Sequence, residues 1–201
     1  MCLSGPDNPE PPGSVPEMDE KPEPPAEDDS PGRPRTSAPS ARPLIAELMD
    51  PRGLLVHAEF DRLSSHLESV RALFGADGLS GEIRVEVVGD ERMSALHEKH
   101  KDTPGTTDVL TFDLSGDPRV LDVDIVVCAD EARRQAEARR HGIAEELTLY
   151  IVHGVLHCTG YDDHDEEGDY GAASMHRRED EILSAIGAGV VFARDAAGGA
   201  S

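Results

Sequence analysis

Cysteine is scarce in this chain: Cys2, Cys128 and Cys158 form an odd, widely spaced set, which excludes a disulfide framework and points to reduced thiols. Long apolar runs are missing as well. No stretch approaches the roughly 20 residues that a helix needs to span a bilayer. No basic start followed by an apolar run marks a secretory signal. The expectation is a soluble, cytoplasmic protein with no membrane partner. There is no tryptophan, and lysine is rare, with 3 against 16 arginines; the positive charge is therefore mostly of the fork-shaped kind that suits bidentate phosphate contacts. No internal repeat is present.

A surplus of positive charge is lacking altogether. The formal net charge is −22, which speaks against a broad phosphate-binding surface but leaves room for a local one. Residues 1–43 hold twelve of the fifteen prolines, nine acidic and four basic residues and no aromatic. A segment of that composition buries too little apolar surface to offset its ordering entropy, so 1–43 reads as a disordered, acidic, Pro-rich extension. Residues 44–192 then form a single domain, and 193–201 a small, polar, frayed tail. The domain plus tail still carries −17. Within it Arg133, Arg134, Arg139 and Arg140 cluster on one predicted helix; they read first as a solvated face and second as an RNA-facing patch.

Leu44 to Leu48 is apolar-rich and suits an edge strand, with Asp50-Pro51-Arg52-Gly53 as a turn. Phe60, Leu63, Leu67, Val70, Leu73 and Phe74 recur at three- and four-residue steps, one stripe of an amphipathic helix that ends near Gly75. Ile83, Val85 and Val87 alternate with Glu82, Arg84 and Glu86 as in a strand with one wet face. Asp90, Met93, Leu96 and His97 suggest a second helix, and Lys101 to Asp108 is polar and turn-prone, hence a loop. Val109 to Leu114 and Val123 to Cys128 follow as two strands with a link short enough for an antiparallel return, the second apolar enough for an interior position. Three helices complete the order: Ala129 to His141, stopped at Gly142; a buried one around Leu147 to Leu156; and a last one marked by Met175, Glu179, Ile182, Leu183 and Ile186. The pattern predicts an α+β domain, a mixed sheet of about four strands with packed helices.

The chemistry concentrates in His153-Gly154-Val155-Leu156-His157-Cys158-Thr159-Gly160-Tyr161-Asp162-Asp163-His164. His153 and His157 stand four apart on a predicted helix, so their imidazoles share one face and make half of a tetrahedral zinc site. Gly160 suits the left-handed residue that ends a helix, letting the chain turn back and carry His164 over the metal. Three protein ligands leave a fourth position for water, the mark of a catalytic zinc. A lone histidine on an apolar helix face is usually a core residue; the turn and the third histidine shift the balance. The Glu that follows the first histidine in His-Glu-x-x-His proteases is absent, since that position is Gly154, which disfavours peptide hydrolysis. Asp162, Asp163 and Asp165 are candidates for a base or for orienting an imidazole, or simply a solvated turn. Cys158 reads as a packed thiol.

This stretch is similar to the His-Gly-x-Leu-His-x-x-Gly-Tyr-Asp-His signature of the bacterial YbeY family. Thr107-Asp108-Val109-Leu110-Thr111-Phe112, Asp124-Ile125-Val126-Val127-Cys128 and Met175-x-x-x-Glu179 resemble further family segments in the same order, so the likeness spans about residues 80–187. It implies a zincin-like three-histidine metal cleft with one zinc per chain held by His153, His157 and His164. It also implies a single-strand-specific endoribonuclease that matures the 3′ end of small-subunit ribosomal RNA and takes part in ribosome quality control. The implied partners are ribosomal RNA and the small ribosomal subunit, together with ribosomal proteins and an Era-type GTPase. Lys101 stands where the family usually has Arg, which implies contact with RNA phosphate or transition-state charge. One extra residue precedes His164, and His97 and His100 replace the usual Asn and aromatic; these two read as exposed rather than as ligands. The alternatives are a zinc hydrolase acting on another substrate and a ribosome assembly factor with a structural zinc.

Overall fold

The computed structural model of the chain describes residues 43–117, 119–162 and 170–189. The expected extension, apart from Pro43, and the expected tail fall outside these residues. Among the described residues nine elements follow the expected order: β1 (Leu44–Met49), α1 (His57–Ala76), β2 (Ser80–Val88), α2 (Asp90–Lys101), β3 (Val109–Asp113), β4 (Val120–Cys128), α3 (Ala129–Arg139), α4 (Ile143–Cys158) and α5 (Ala172–Ala185). The strands form one mixed sheet in the order β1-β2-β4-β3. β1 and β4 flank β2 in parallel, and β3 returns antiparallel along β4. β1 is thus an edge strand and β4 an interior one, as their apolar content predicts.

The alternation of β2 sets the two faces. Ile83, Val85 and Val87 are buried and register with Val123, Ile125 and Val127 of β4, forming the inner face. Against it lies α4, twelve of whose sixteen residues are buried. A helix apolar nearly all round has to be wrapped on all sides, and α4 touches β3, β4, α1, α3 and α5. Its Leu147, Ile151 and Val155 are wholly buried, each stabilising the fold by about 1.5–3 kcal/mol. On the outer face α2 covers one end, where Met93 packs with Val88, Leu110, Val126 and Cys128. At the other end Arg84 joins Asp124 at 2.5 Å, Asp122 at 2.6 Å and Glu82 at 2.8 Å. Among the described residues no helix is long and apolar enough to cross a membrane.

Two helix ends differ from expectation. α2 runs through Lys101, which is its last residue rather than the start of a loop; Asp102 follows in the left-handed region (φ 52°). α3 stops before Gly142: Arg140 takes the left-handed conformation (φ 59°), and Gly142 instead precedes the first turn of α4. The early stop lets Arg139 and His141 reach the wholly buried Glu146 of α4 at 2.6 and 2.5 Å, satisfying a carboxylate whose burial alone would be costly. Three of the four clustered arginines prove to be held by carboxylates. Arg133 pairs with Asp130, Arg134 with Asp90 and Glu131, and Arg139 with Glu146, so these three serve the α3 surface and its neighbours.

A buried histidine links α1 to α4. His66 Nδ1 lies 2.9 Å from Thr148 Oγ1. Burial is the leading influence on it; with the charge of Arg62 it outweighs Glu145 and holds His66 below its ordinary value of 6.5. The unfolded chain therefore takes up this proton more readily than the folded one. The contribution is full above pH 6.5 and is lost as pH falls from there toward the folded value. In urea titrations across that window the wild-type midpoint is expected to drop more steeply than that of His66→Gln; parallel curves would show that His66 does not titrate with folding.

Candidate active site

His153 and His157 project from one face of α4, as their spacing predicts, and their Nε2 atoms come within 3.0 Å of each other. Each ring is oriented from behind. His153 Nδ1 lies 2.8 Å from Glu179 Oε1 on α5, and His157 Nδ1 lies 3.0 Å from the backbone carbonyl of Tyr161. A carboxylate and a carbonyl only accept, so both Nδ1 atoms carry the hydrogen, and in the neutral form of each ring Nε2 is the atom that presents a lone pair. Two acceptor nitrogens this close repel each other unless a proton or a cation lies between them. The donor set therefore fits a borderline metal such as zinc, with second-atom hydrogen bonds of the kind that fix metal-binding imidazoles. Gly160 has φ 101°, the turn residue expected, and this bend brings the Tyr161 carbonyl back under His157.

The expected third ligand, His164, lies outside the described residues, as do Asp163 and Asp165. Among the described residues no group of three or more His, Cys, Asp or Glu side chains is arranged to hold a metal; what the fold positions is the α4 pair. Asp162 is exposed, and its N–H donates to the Tyr170 carbonyl at 2.9 Å. The carboxylate that orients His153 comes from elsewhere. Glu179 is wholly buried, and its Oε2 has no hydrogen-bond partner among the described residues. Its signal in the sequence was an acidic residue inside the apolar stripe of the last helix. Replacing Glu179 with Gln is expected to weaken zinc binding by about 10–100-fold with the fold retained; an unchanged zinc Kd in a competition titration would show that the hydrogen bond does not tune the ligand.

The pair opens on a cleft of about 880 Å³. The inner face of β3 supplies Thr111 and Asp113, and α2 supplies His97 and Lys101. Lys101 is exposed. His97 is half-buried, with Nδ1 3.0 Å from the Gly105 carbonyl, so it is less exposed than expected. His100 is exposed and sits edge-on to Phe112 at 5.0 Å. Burial, which favours a neutral Asp113, is outweighed by hydrogen bonds from the Ser115 N–H and hydroxyl and the Gly116 N–H, so this carboxyl is held below its ordinary value. Burial and then the Asp113 charge push the Cys158 thiol up to about 11, consistent with a packed, protonated thiol rather than a thiolate ligand.

Gly154 faces the sheet. A Cβ built there would stand 2.4 Å from Thr111 Oγ1 and 3.5 Å from Ile125 Cδ1. The residue after the first histidine is therefore a point of close approach between α4 and β3, where a side chain would meet Thr111.

The comparisons with known proteins bear on the chain's family and fold. The family model described as Endoribonuclease YbeY matches residues 57–187, from the start of α1 to just past α5. A protein of that name from Macrococcus caseolyticus is 36% identical over 115 residues, covering 53% of this chain and 72% of the relative. Another, from Leptospira biflexa, is 32% identical over 131 residues, covering 63% and 84%. The solution structure of TM1509 from Thermotoga maritima superposes with a TM-score of 0.53 at 22% identity, over 71% of this chain and 88% of that one, a likeness of fold. With the model matching well over half of its length, the chain belongs to the Endoribonuclease YbeY family.

Proposed function

We propose that the chain is a zinc-dependent endoribonuclease specific for single strands, acting in 3′-end maturation of small-subunit ribosomal RNA and in ribosome quality control. The observation that carries this reading is the pair of converging Nε2 atoms, 3.0 Å apart, each ring tied down through Nδ1. His153 and His157, with His164 as the third ligand, would hold one zinc in a zincin-like cleft. When bound, the zinc supplies positive charge that polarises a phosphoryl oxygen and makes water more acidic.

The chain's own groups do the rest. Glu179 and the Tyr161 carbonyl keep the imidazoles in the ligand tautomer. Lys101 brings an ammonium to the rim of the cleft, where it balances phosphate charge in the ground state and the added charge of the transition state. The contact of Gly154 with Thr111 argues against peptide hydrolysis through a base at that position. Ribosomal RNA and the small subunit are the partners this reading assigns, with ribosomal proteins and an Era-type GTPase as candidates in the same cytoplasmic setting.

The test is cleavage of an end-labelled single-stranded RNA carrying the small-subunit 3′ sequence by the zinc-loaded chain. Cleavage that disappears in chelator and returns with zinc is expected; cleavage indifferent to chelator would overturn the metal reading. Lys101→Ala is expected to weaken RNA binding and to lower the slope of log K against log salt by about 0.7, one phosphate on a single strand. An unchanged slope would remove Lys101 from the contact.

A further inference from the structure

His97 lies one turn before Lys101 on α2, and both line the cleft that holds His153 and His157. Residues at i and i+4 are neighbours on a helix face, about 5–6 Å apart at Cβ. The Nδ1 of His97 is 3.0 Å from the Gly105 carbonyl. A carbonyl cannot donate, so Nδ1 carries the hydrogen, and the deprotonated ring nitrogen left to accept in the neutral imidazole is Nε2. The α2 wall thus sets side by side an ammonium donor and an imidazole whose Nε2 is turned away from the Gly105 bond.

We infer that His97 accepts a hydrogen bond from a ribose 2′-hydroxyl and thereby lets the cleft tell RNA from DNA. The inference rests on the single-strand RNA reading and deepens it. In the interior of a nucleic-acid strand the phosphate oxygens and ring oxygens only accept, so they cannot bond to an acceptor nitrogen. The one backbone donor is the 2′-hydroxyl, the group by which proteins distinguish the two sugars. It sits on the carbon next to the one that bears the 3′ phosphate. A phosphate at the Lys101 ammonium therefore brings its own 2′-hydroxyl toward the neighbouring side chain. The Gly105 bond does two things here: it fixes the tautomer, and it holds the ring against the loop that follows α2.

The experiment measures affinities of the full-length zinc-loaded chain by fluorescence anisotropy, read before cleavage accumulates. One single-stranded RNA is compared with its 2′-fluoro counterpart, which has the same bases and cannot donate from the sugar. The wild type is expected to prefer the RNA by about three- to tenfold, the effect of one hydrogen bond. His97→Leu is expected to bind both equally, at the wild-type affinity for the 2′-fluoro strand. His97→Asn, whose amide nitrogen can keep the Gly105 contact while its oxygen accepts, is expected to retain part of the preference. A His97→Leu protein that keeps the full preference overturns the assignment while leaving the nuclease reading intact, as does a wild type that binds both strands alike. A wild type that binds no RNA overturns both.

Discussion

Replacement of His157 by Ala is expected to take bound zinc from one per chain to background, and RNA cleavage with it. His157 is one of the two α4 imidazoles whose Nε2 atoms converge at 3.0 Å, and its Nδ1 is held by the Tyr161 carbonyl rather than by a group that could substitute as a ligand. Zinc binding by a full ligand set is worth roughly 10–16 kcal/mol, so the loss of one ligand costs about 3 kcal/mol or more, a weakening of at least ~10²–10³. The fold itself should persist. The core between the sheet and α4 is built from apolar side chains such as Ile83, Val123, Leu147 and Ile151, none of which lines the cleft. Zinc measured by mass spectrometry after dialysis, alongside circular dichroism, separates the two effects. Stoichiometric zinc in a folded His157→Ala protein would remove this site from consideration.

The second large effect concerns Gly154. Writing a protease-like His-Glu-x-x-His onto this helix through Gly154→Glu is expected to destabilise the domain and to add no base to the cleft. The Cβ alone would stand 2.4 Å from Thr111 Oγ1. Forcing atoms into a packed interior costs about 1–3 kcal/mol, and burying a carboxylate against the inner face of the sheet adds several more. At roughly 2–4 °C per kcal/mol for a chain of this size, a fall in Tm of about 10 °C or more follows. Gly154→Ala isolates the steric part and should lose less. Pairing it with Thr111→Ala, which removes the opposing hydroxyl, should recover most of that loss. A Gly154→Glu protein with wild-type Tm would show that β3 and α4 do not meet as described.

Much of the fold follows from local pattern. The period-two alternation of Ile83, Val85 and Val87, the continuous apolar run of β4 and the short β3–β4 link each carry their own evidence of strand type and position. The spacing of His153 and His157 and the bend at Gly160 are similarly local. What escaped depends on contacts between distant segments. Nothing near Arg140 announces that a non-glycine would end α3; that end is set by Glu146, which needs Arg139 and His141 from the turn. Likewise, aspartates close in sequence to the histidines were the natural candidates for orienting an imidazole; the carboxylate that holds His153 among the described residues is Glu179, 26 residues on. A carboxylate on the apolar stripe of α5 was visible, but its partner becomes apparent only when α5 is packed on α4. His97 followed the same course. It was expected to be exposed, and its half-buried place on the cleft wall follows only from the packing of α2 beside β3 and α4.

The two imidazoles of the α4 pair are held by different kinds of anchor, and this makes them unequal before evolution. Behind His153 stands a side chain, which a single codon change can make longer, shorter, neutral or absent, so the basicity of that nitrogen is adjustable. Behind His157 stands the Tyr161 carbonyl, which every amino acid at that position would provide. No substitution at residue 161 deletes it; only a change in the path of the chain at Gly160 does. Within this site, variation can tune one imidazole by degrees, while the other is inherited with the backbone.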